Sequence, residues 1–222
     1  NPHRTRLIVE AQKRGCKTAT GLSMLTAQAA EAIRAFTGKA VSSEAILKMT
    51  ADLAREKMNL VLIGMPGVGK STIGVVLAKV LGYQFVDADL LIQEAEGKLL
   101  SELIEENGTD GFIEIENRVN SQIQTHRSVI ATGGSVVYGK EAMEHLKSIG
   151  TVVYLKQNLR VLQRRLRNLK GRGVVLKEGQ TLVDLYKERT VLYEKYADIT
   201  VDQYKQSIEQ TLKAVRKALE EN

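Results

Sequence analysis

The run Gly64-Met65-Pro66-Gly67-Val68-Gly69-Lys70-Ser71 fits the pattern G-x-x-x-x-G-K-[S/T] at every fixed position. Each residue type has a physical task in that pattern. Glycines let backbone amides close around phosphate oxygens. A helix opening at Lys70 aims its positive end and its free amides at them. Lys70 reaches the outer phosphates, and the Ser71 hydroxyl is a ligand for magnesium. The loop therefore predicts ATP as co-substrate together with Mg2+. A chance glycine turn lacks the flanking elements found here. An apolar run over Lys57 to Ile63 reads as a buried strand before the loop, and Lys70 to Leu81 reads as a helix after it.

The residues that could serve an acceptor follow in order. Asp87-Ala88-Asp89 closes a short strand over Gln84 to Val86, at the carboxyl end of a parallel strand, where open α/β sheets bind ligands. Two carboxylates one residue apart can divide the work. Asp87 is assigned to the magnesium water shell and Asp89 to the proton of an attacking hydroxyl. The competing assignment for Asp89 is a cap on a helix starting at Leu90. Thr132-Gly133-Gly134-Ser135 follows a third strand, Ser128 to Ala131. The Gly133-Gly134 pair either lets a flat substrate ring lie on the backbone or forms a tight turn. Arg172, in a charged, glycine-containing loop over Lys170 to Gln180, either closes over the phosphates or is a solvated lid residue. Arg189 either clamps a carboxylate with both arms or pairs with a surface acid.

The elements that must hold these residues alternate. Helical stretches are expected at Leu90 to Glu96, Ser101 to Glu106, Phe112 to Gln124, Glu141 to Ser148, Leu159 to Leu169, Leu182 to Tyr196 and Ser207 to Glu220, with Gly97 and Gly108 as breaks. Further strands are expected at Thr151 to Leu155 and Ile199 to Val201. Alternation of this kind predicts an α/β fold with a parallel sheet covered by helices on both faces. Residues 1–54 carry no strand signal. They show helical stretches near Thr5 to Arg14 and Ser23 to Thr37, then a third helix or a linker over Ser42 to Arg55. The expected division is a helical segment 1–54 and a nucleotide-binding domain 55–222.

Composition narrows the function classes. The 222 residues are 43% hydrophobic with a net charge of +6, so the chain folds and favours anionic partners. No apolar stretch approaches the roughly 18 residues of a membrane span. A basic cluster, Arg160, Arg164, Arg165, Arg167, Lys170 and Arg172, contains no aromatic residue, which argues against a nucleic-acid surface built on stacking. The single cysteine, Cys16, allows no internal disulfide and points to the cytoplasm. A GTPase would need an Asn-Lys-x-Asp segment, which is missing. A motor ATPase would need an acidic strand end, where this chain has Lys156 and Gln157.

Taken in order and spacing, the phosphate loop, Phe85-x-Asp87-x-Asp89, the glycine pair, a loop arginine and Arg189-x-x-x-Tyr193 resemble shikimate kinase over about residues 58–202. The resemblance implies a fold like the nucleoside-monophosphate kinases. It also implies transfer of the ATP γ-phosphate to the 3-hydroxyl of shikimate. By the same resemblance, residues Gly67 to Thr72 bind ATP (Gly67, Val68, Gly69, Lys70, Ser71 and Thr72). Ser71 holds magnesium, Asp89 and Gly134 contact shikimate, Arg172 covers the phosphates, and Arg189 holds the substrate carboxylate. Three departures accompany it. Ile113 stands where the family has one of two carboxylate-binding arginines, a loss of about 1.5–3 kcal/mol of charged hydrogen bonding. Either another basic residue, such as Arg118, compensates, or affinity is weak, or the acceptor differs. Ser135 replaces a third glycine, and Arg172-Gly173-Val174 replaces Arg-Pro-Leu in the lid. Competing readings are a related small-molecule kinase, such as one acting on gluconate, and a non-catalytic nucleotide-binding module.

A second resemblance covers the first 40 residues. Asn1-Pro2-x-x-Thr5-x-Leu7, Gly15-Cys16, Gly21-Leu22-x-Met24-Leu25 and Gln28-Ala29 are similar to the C-terminal end of shikimate dehydrogenase. That resemblance implies contact of Gln28 with shikimate and a glycine, Gly21, near the nicotinamide. The expectation is the tail of a fused dehydrogenase–kinase, truncated before Asn1.

Overall fold

The structure is a computed structural model that describes residues 7, 8, 11, 14–166 and 179–220. By internal contacts the chain divides after Met58 into two compact units. In the first, helix α1 spans Gly21–Thr37 and helix α2 spans Ser43–Lys57. Helix α1 opens two residues before the expected Ser23, because the Thr20 side chain accepts from the Leu22 amide and caps it. The two helices meet through a 2.6 Å hydrogen bond between Thr26 and Thr50 hydroxyls. Helix α2 continues past residue 54 to Lys57, so the run over Ser42 to Arg55 is a helix and not a linker. The expected stretch Thr5 to Arg14 lies mostly outside the described residues.

The second unit is built on strand β1, Asn59–Ile63, with every residue buried. A run that is apolar on both faces belongs in the middle of a parallel sheet. The other strands are β2 (Gln84–Asp87), β3 (Ser128–Ala131), β4 (Gly150–Lys156) and β5 (Ile199–Asp202). All pair in parallel in the order β2-β3-β1-β4-β5. The register runs Leu60 with Val129, Leu60 with Thr151, Phe85 with Val129, and Val153 with Ile199. Asn59, itself 1% exposed, locks the start of the sheet. Its side-chain amide donates to Thr125 O at 2.9 Å and Ile149 O at 3.0 Å, and its oxygen accepts from Ser128 N at 3.0 Å.

Helices α3 (Lys70–Leu81), α4 (Ala88–Glu96), α5 (Leu100–Asn120), α6 (Lys140–Ile149), α7 (Leu159–Arg165), α8 (Leu182–Tyr196) and α9 (Ile208–Glu220) connect and cover the strands. The expected break at Gly108 is a kink (φ 68°, ψ −176°) within α5 and not a gap between two helices. The main core gathers Val61, Leu62, Ile63, Ile130, Val152, Val153, Leu77, Met143 and Leu146 around the sheet. A smaller cluster, Ile92, Leu103 and Phe112, ties α4 to both halves of α5. It orients the face of α5 that meets the sheet's carboxyl edge.

Candidate active site

Because the sheet is parallel, the segments after β1, β2 and β3 leave it at the same edge. They enclose one cavity of about 240 Å3, lined among others by Pro66, Lys70, Ser71, Asp89, Glu116 and the segment Thr132–Ser135. The first wall is the phosphate loop. Gly69 lies immediately before α3 with φ 101°, a left-handed conformation that a side chain would strain, and this turn lets α3 open at Lys70. The Lys70 ammonium is buried and donates to Gly64 O at 2.8 Å and Met65 O at 3.2 Å. Burial pulls its pKa down to about 8, against the opposing pull of Asp89, Glu116 and Asp87.

The second wall is the start of α4. The helix begins at Ala88, two residues sooner than Asp89 capping would need, and its cap is Asp87, whose Oδ1 accepts from Asp89 N at 3.0 Å. Asp87 also accepts from the Ser71 hydroxyl at 3.0 Å through Oδ2. One carboxylate thus ties the phosphate loop to α4, and the Asp89 side chain is left to line the cavity. Burial first, and the Asp87 charge after it, raise the Asp89 pKa, while Lys70 opposes. Ser71 and Asp87 together present a hydroxyl and a carboxylate to one point, a donor set that suits a small hard cation sharing its shell with phosphate oxygens and water.

The third wall is Thr132–Ser135. A Cβ added at Gly133 would fall 2.1 Å from Glu116 Oε1 and 3.0 Å from Asp89 Oδ1. Glycine is required here because two carboxylates crowd the backbone. A Cβ at Gly134 would meet the Pro66 ring at 2.7 Å and Arg189 Nη1 at 3.0 Å. Arg189 is only 1% exposed. It is therefore not a surface ion-pair residue, although it is not among the residues lining the cavity. Its Nε donates to the Tyr138 hydroxyl at 3.3 Å, its guanidinium lies 5.1 Å from the Tyr138 ring centre, and Tyr193 donates to Gly134 O at 2.6 Å.

Two expectations fare differently. Arg172 lies outside the described residues. Arg118 does not stand in for the missing arginine, since it is exposed, pairs with Glu96 at 2.6 Å and is absent from the cavity lining. Ile113 packs on the Ile92–Leu103–Phe112 cluster and does not line the cavity either.

Two other groups at the site were given no role by the sequence, although Glu116 ends the run Phe112-Ile113-Glu114-Ile115-Glu116 that stands against Phe-Arg-x-x-Glu in the resemblance. Glu116 is 1% exposed, and among the described residues neither of its carboxylate oxygens has a hydrogen-bond partner. Burial lifts its pKa to about 7, with Asp89 adding to the rise. Ser135, Arg189 and Lys70 oppose it. The signal available in the sequence was its place four residues after the buried Phe112, on the same helical face. Arg165, at the end of α7, donates to Gly67 O at 3.1 Å and Val68 O at 3.3 Å. Its membership of the basic cluster was the sole hint.

A family model described as shikimate kinase matches residues 66–220. The shikimate kinase of Pasteurella multocida is 40% identical over 156 residues, covering 68% of this chain and 89% of the relative. That of Actinobacillus succinogenes is also 40% identical over 156 residues, with the same coverage. Among solved structures, shikimate kinase from Acinetobacter baumannii in complex with shikimate superposes with a TM-score of 0.69 at 30% identity, covering 77% of this chain and 97% of that one. The Aquifex aeolicus shikimate kinase gives 0.63 at 31% identity, covering 73% and 96%.

Proposed function

This chain belongs to the shikimate kinase family, and on that premise we propose that it transfers the γ-phosphate of ATP to the 3-hydroxyl of shikimate. The observation that carries the reading is that Asp89 and Lys70 open on one cavity floored by the Gly133–Gly134 backbone. In the reaction the 3-hydroxyl oxygen forms a bond to the γ-phosphorus. Its proton passes to Asp89, and the bond from that phosphorus to the bridging oxygen breaks to leave ADP. The raised pKa of Asp89 suits a group that must accept a proton. Lys70 leaves the Gly64 and Met65 carbonyls to meet the charge gathering on the transferring phosphoryl group.

ATP binding is assigned to Gly67, Val68, Gly69, Lys70, Ser71 and Thr72, of which all but Val68 line the cavity. Ser71 would hold magnesium directly and Asp87 would hold it through water, and the ion would neutralise phosphate charge. Arg172 is read as covering the phosphates, supported by the approach of its neighbouring helix α7 to the phosphate loop through Arg165. The acceptor is assigned to Asp89, Gly133 and Gly134, with its carboxylate directed to Arg189. The backbone exposed at the glycine pair favours the flat ring of shikimate over an open-chain polyol acid, which carries the same carboxylate charge.

Residues 1–40 are read as the end of a shikimate dehydrogenase-like segment fused to the kinase. The reading is supported by α1, on which Gln28 is exposed and so free to face a further domain. The reaction is assigned to the cytoplasm. Cys16 is a free, exposed thiol, and no described helix is long and apolar enough to cross a membrane.

The test is a coupled ADP-release assay with magnesium-ATP, comparing shikimate, quinate and gluconate. Turnover that depends on shikimate and collapses in Asp89→Asn supports the reading. Turnover with gluconate alone, or with no acceptor, overturns it.

A further inference from the structure

We propose that Glu116 sets the terms on which an acidic acceptor enters. It takes up a proton as the acceptor binds and, as a neutral acid, donates a hydrogen bond to it. The inference rests on the shikimate kinase reading and adds a residue whose role that reading leaves open.

The geometry is unusual for a carboxylate. Glu116 is buried, lines the cavity and, among the described residues, has no hydrogen-bond partner at either oxygen. A buried ion left in this state is strongly disfavoured unless it is neutralised. The charged and titratable groups facing it come from every packed element. They are Asp89 from α4, Lys70 from α3 and Arg189 from α8, with the Ser135 hydroxyl after β3. The two cations are already engaged. Lys70 is turned to the Gly64 and Met65 carbonyls and is needed for phosphate, and Arg189, whose Nε donates to Tyr138, is taken by the acceptor's own carboxylate, so neither is left to neutralise Glu116. On α5 itself, the residue one turn earlier is Ile113, which packs into the apolar cluster and brings no charge.

An acceptor carboxylate therefore makes a third anion beside Asp89 and Glu116. The least costly relief is a proton on one of the two side chains. A proton on Asp89 would remove the group that receives the hydroxyl proton. A proton on Glu116 leaves Asp89 ionised and turns a repelling oxygen into a donor. The neutral form is already close at hand, since burial, with Asp89 adding to it, outweighs the nearby cations and carries its pKa to about 7. The two carboxyls should then separate kinetically, with Glu116 governing KM for the acceptor and Asp89 governing kcat.

The test is KM for shikimate from pH 6 to 9 at saturating magnesium-ATP. KM should rise about tenfold per unit above pH 7, with kcat not following the same curve. Glu116→Gln should hold KM nearly flat, near the low-pH value of the parent. Calorimetric titration of the unaltered protein with shikimate at pH 8, in two buffers of different ionisation enthalpy, should record uptake of close to one proton. This readout stands if the variant fails to fold. A flat KM in the parent, a retained slope in Glu116→Gln, no proton uptake, or a folded Glu116→Gln that no longer binds at any pH would each overturn the inference. Absence of shikimate-dependent turnover would overturn the function reading and this inference with it. Turnover with a flat KM would overturn the inference alone.

Discussion

Replacing Gly133 with alanine places a methyl carbon 2.1 Å from Glu116 Oε1 and 3.0 Å from Asp89 Oδ1, both far inside ordinary contact. Backbone is not the obstacle, because both atoms are the ends of side chains. The methyl cannot be accommodated at β3, since Ala131 and Thr132 are buried there and Thr132 is tied to Leu62 O at 3.0 Å. Glu116 must swing by about 1 Å, and the open side is the cavity where the acceptor sits. Overpacking of this kind costs about 1–3 kcal/mol. That energy falls on the acceptor complex, because the free protein can relax into space the acceptor needs. At about 1.4 kcal/mol per factor of ten, kcat/KM for shikimate should drop by roughly 5- to 150-fold. The assay is steady-state turnover alongside ATP affinity and thermal melting. ATP affinity should hold within about threefold, because the phosphate loop is untouched, and the melting point should move little. The double variant Gly133→Ala/Glu116→Ala should recover part of the loss, since residues that share a contact do not act additively. If shikimate kcat/KM is unchanged in Gly133→Ala, or if the loss is equal for ATP, the steric account is wrong.

Asp89→Asn should lower kcat by about 10²- to 10⁴-fold, the usual contribution of a positioned base, with ATP affinity preserved in equilibrium binding. Asn59→Leu removes the side-chain hydrogen bonds to Thr125 O, Ile149 O and Ser128 N. It should therefore cost about 3 kcal/mol in urea unfolding. Glu116 has a folded pKa of about 7 against an ordinary value of 4.5. The native state thus holds the proton through that window, and stability falls as pH rises across it. Glu116→Gln removes this penalty, so the ligand-free protein should gain on the order of 3 kcal/mol at pH 8 and little at pH 5, read from denaturation at both pH values. Ile113→Arg puts a guanidinium three residues before Glu116, within pairing reach on the same helix. It should hold Glu116 ionised and flatten the pH dependence of KM, measured in the same shikimate titration.

What could be read from the sequence is what local chemistry dictates. The phosphate loop is a contiguous pattern whose glycines, lysine and serine need one another at fixed spacing. The helix it predicts, Lys70–Leu81, is present to the residue. Strands β1 and β3 are apolar on both faces because a parallel sheet buries both faces, so short apolar runs marked them. Asp87 and Asp89 were legible as a pair for the same reason, being two carboxylates at a strand end. Which of them caps the helix was not. That depends on whether α4 starts at Ala88 or at Leu90, and the choice is made by the Asp87 contacts to Asp89 N and Ser71.

The tertiary structure decided everything that joins distant segments. The strand order β2-β3-β1-β4-β5 puts β3 between β1 and β2. Only that order sets the Gly133 backbone against Asp89 and Glu116, residues 44 and 17 positions away in the chain. It also buries Arg189 beside Tyr138 and draws Arg165 onto the phosphate loop. Arg118 shows the converse, since one turn of α5 carries it away from the site to Glu96. Periodicity tells which face of a helix is apolar, and it does not tell which neighbour that face meets. Burial of a charge without a partner, the feature that makes Glu116 consequential, is a property of the whole packed site and has no local signature.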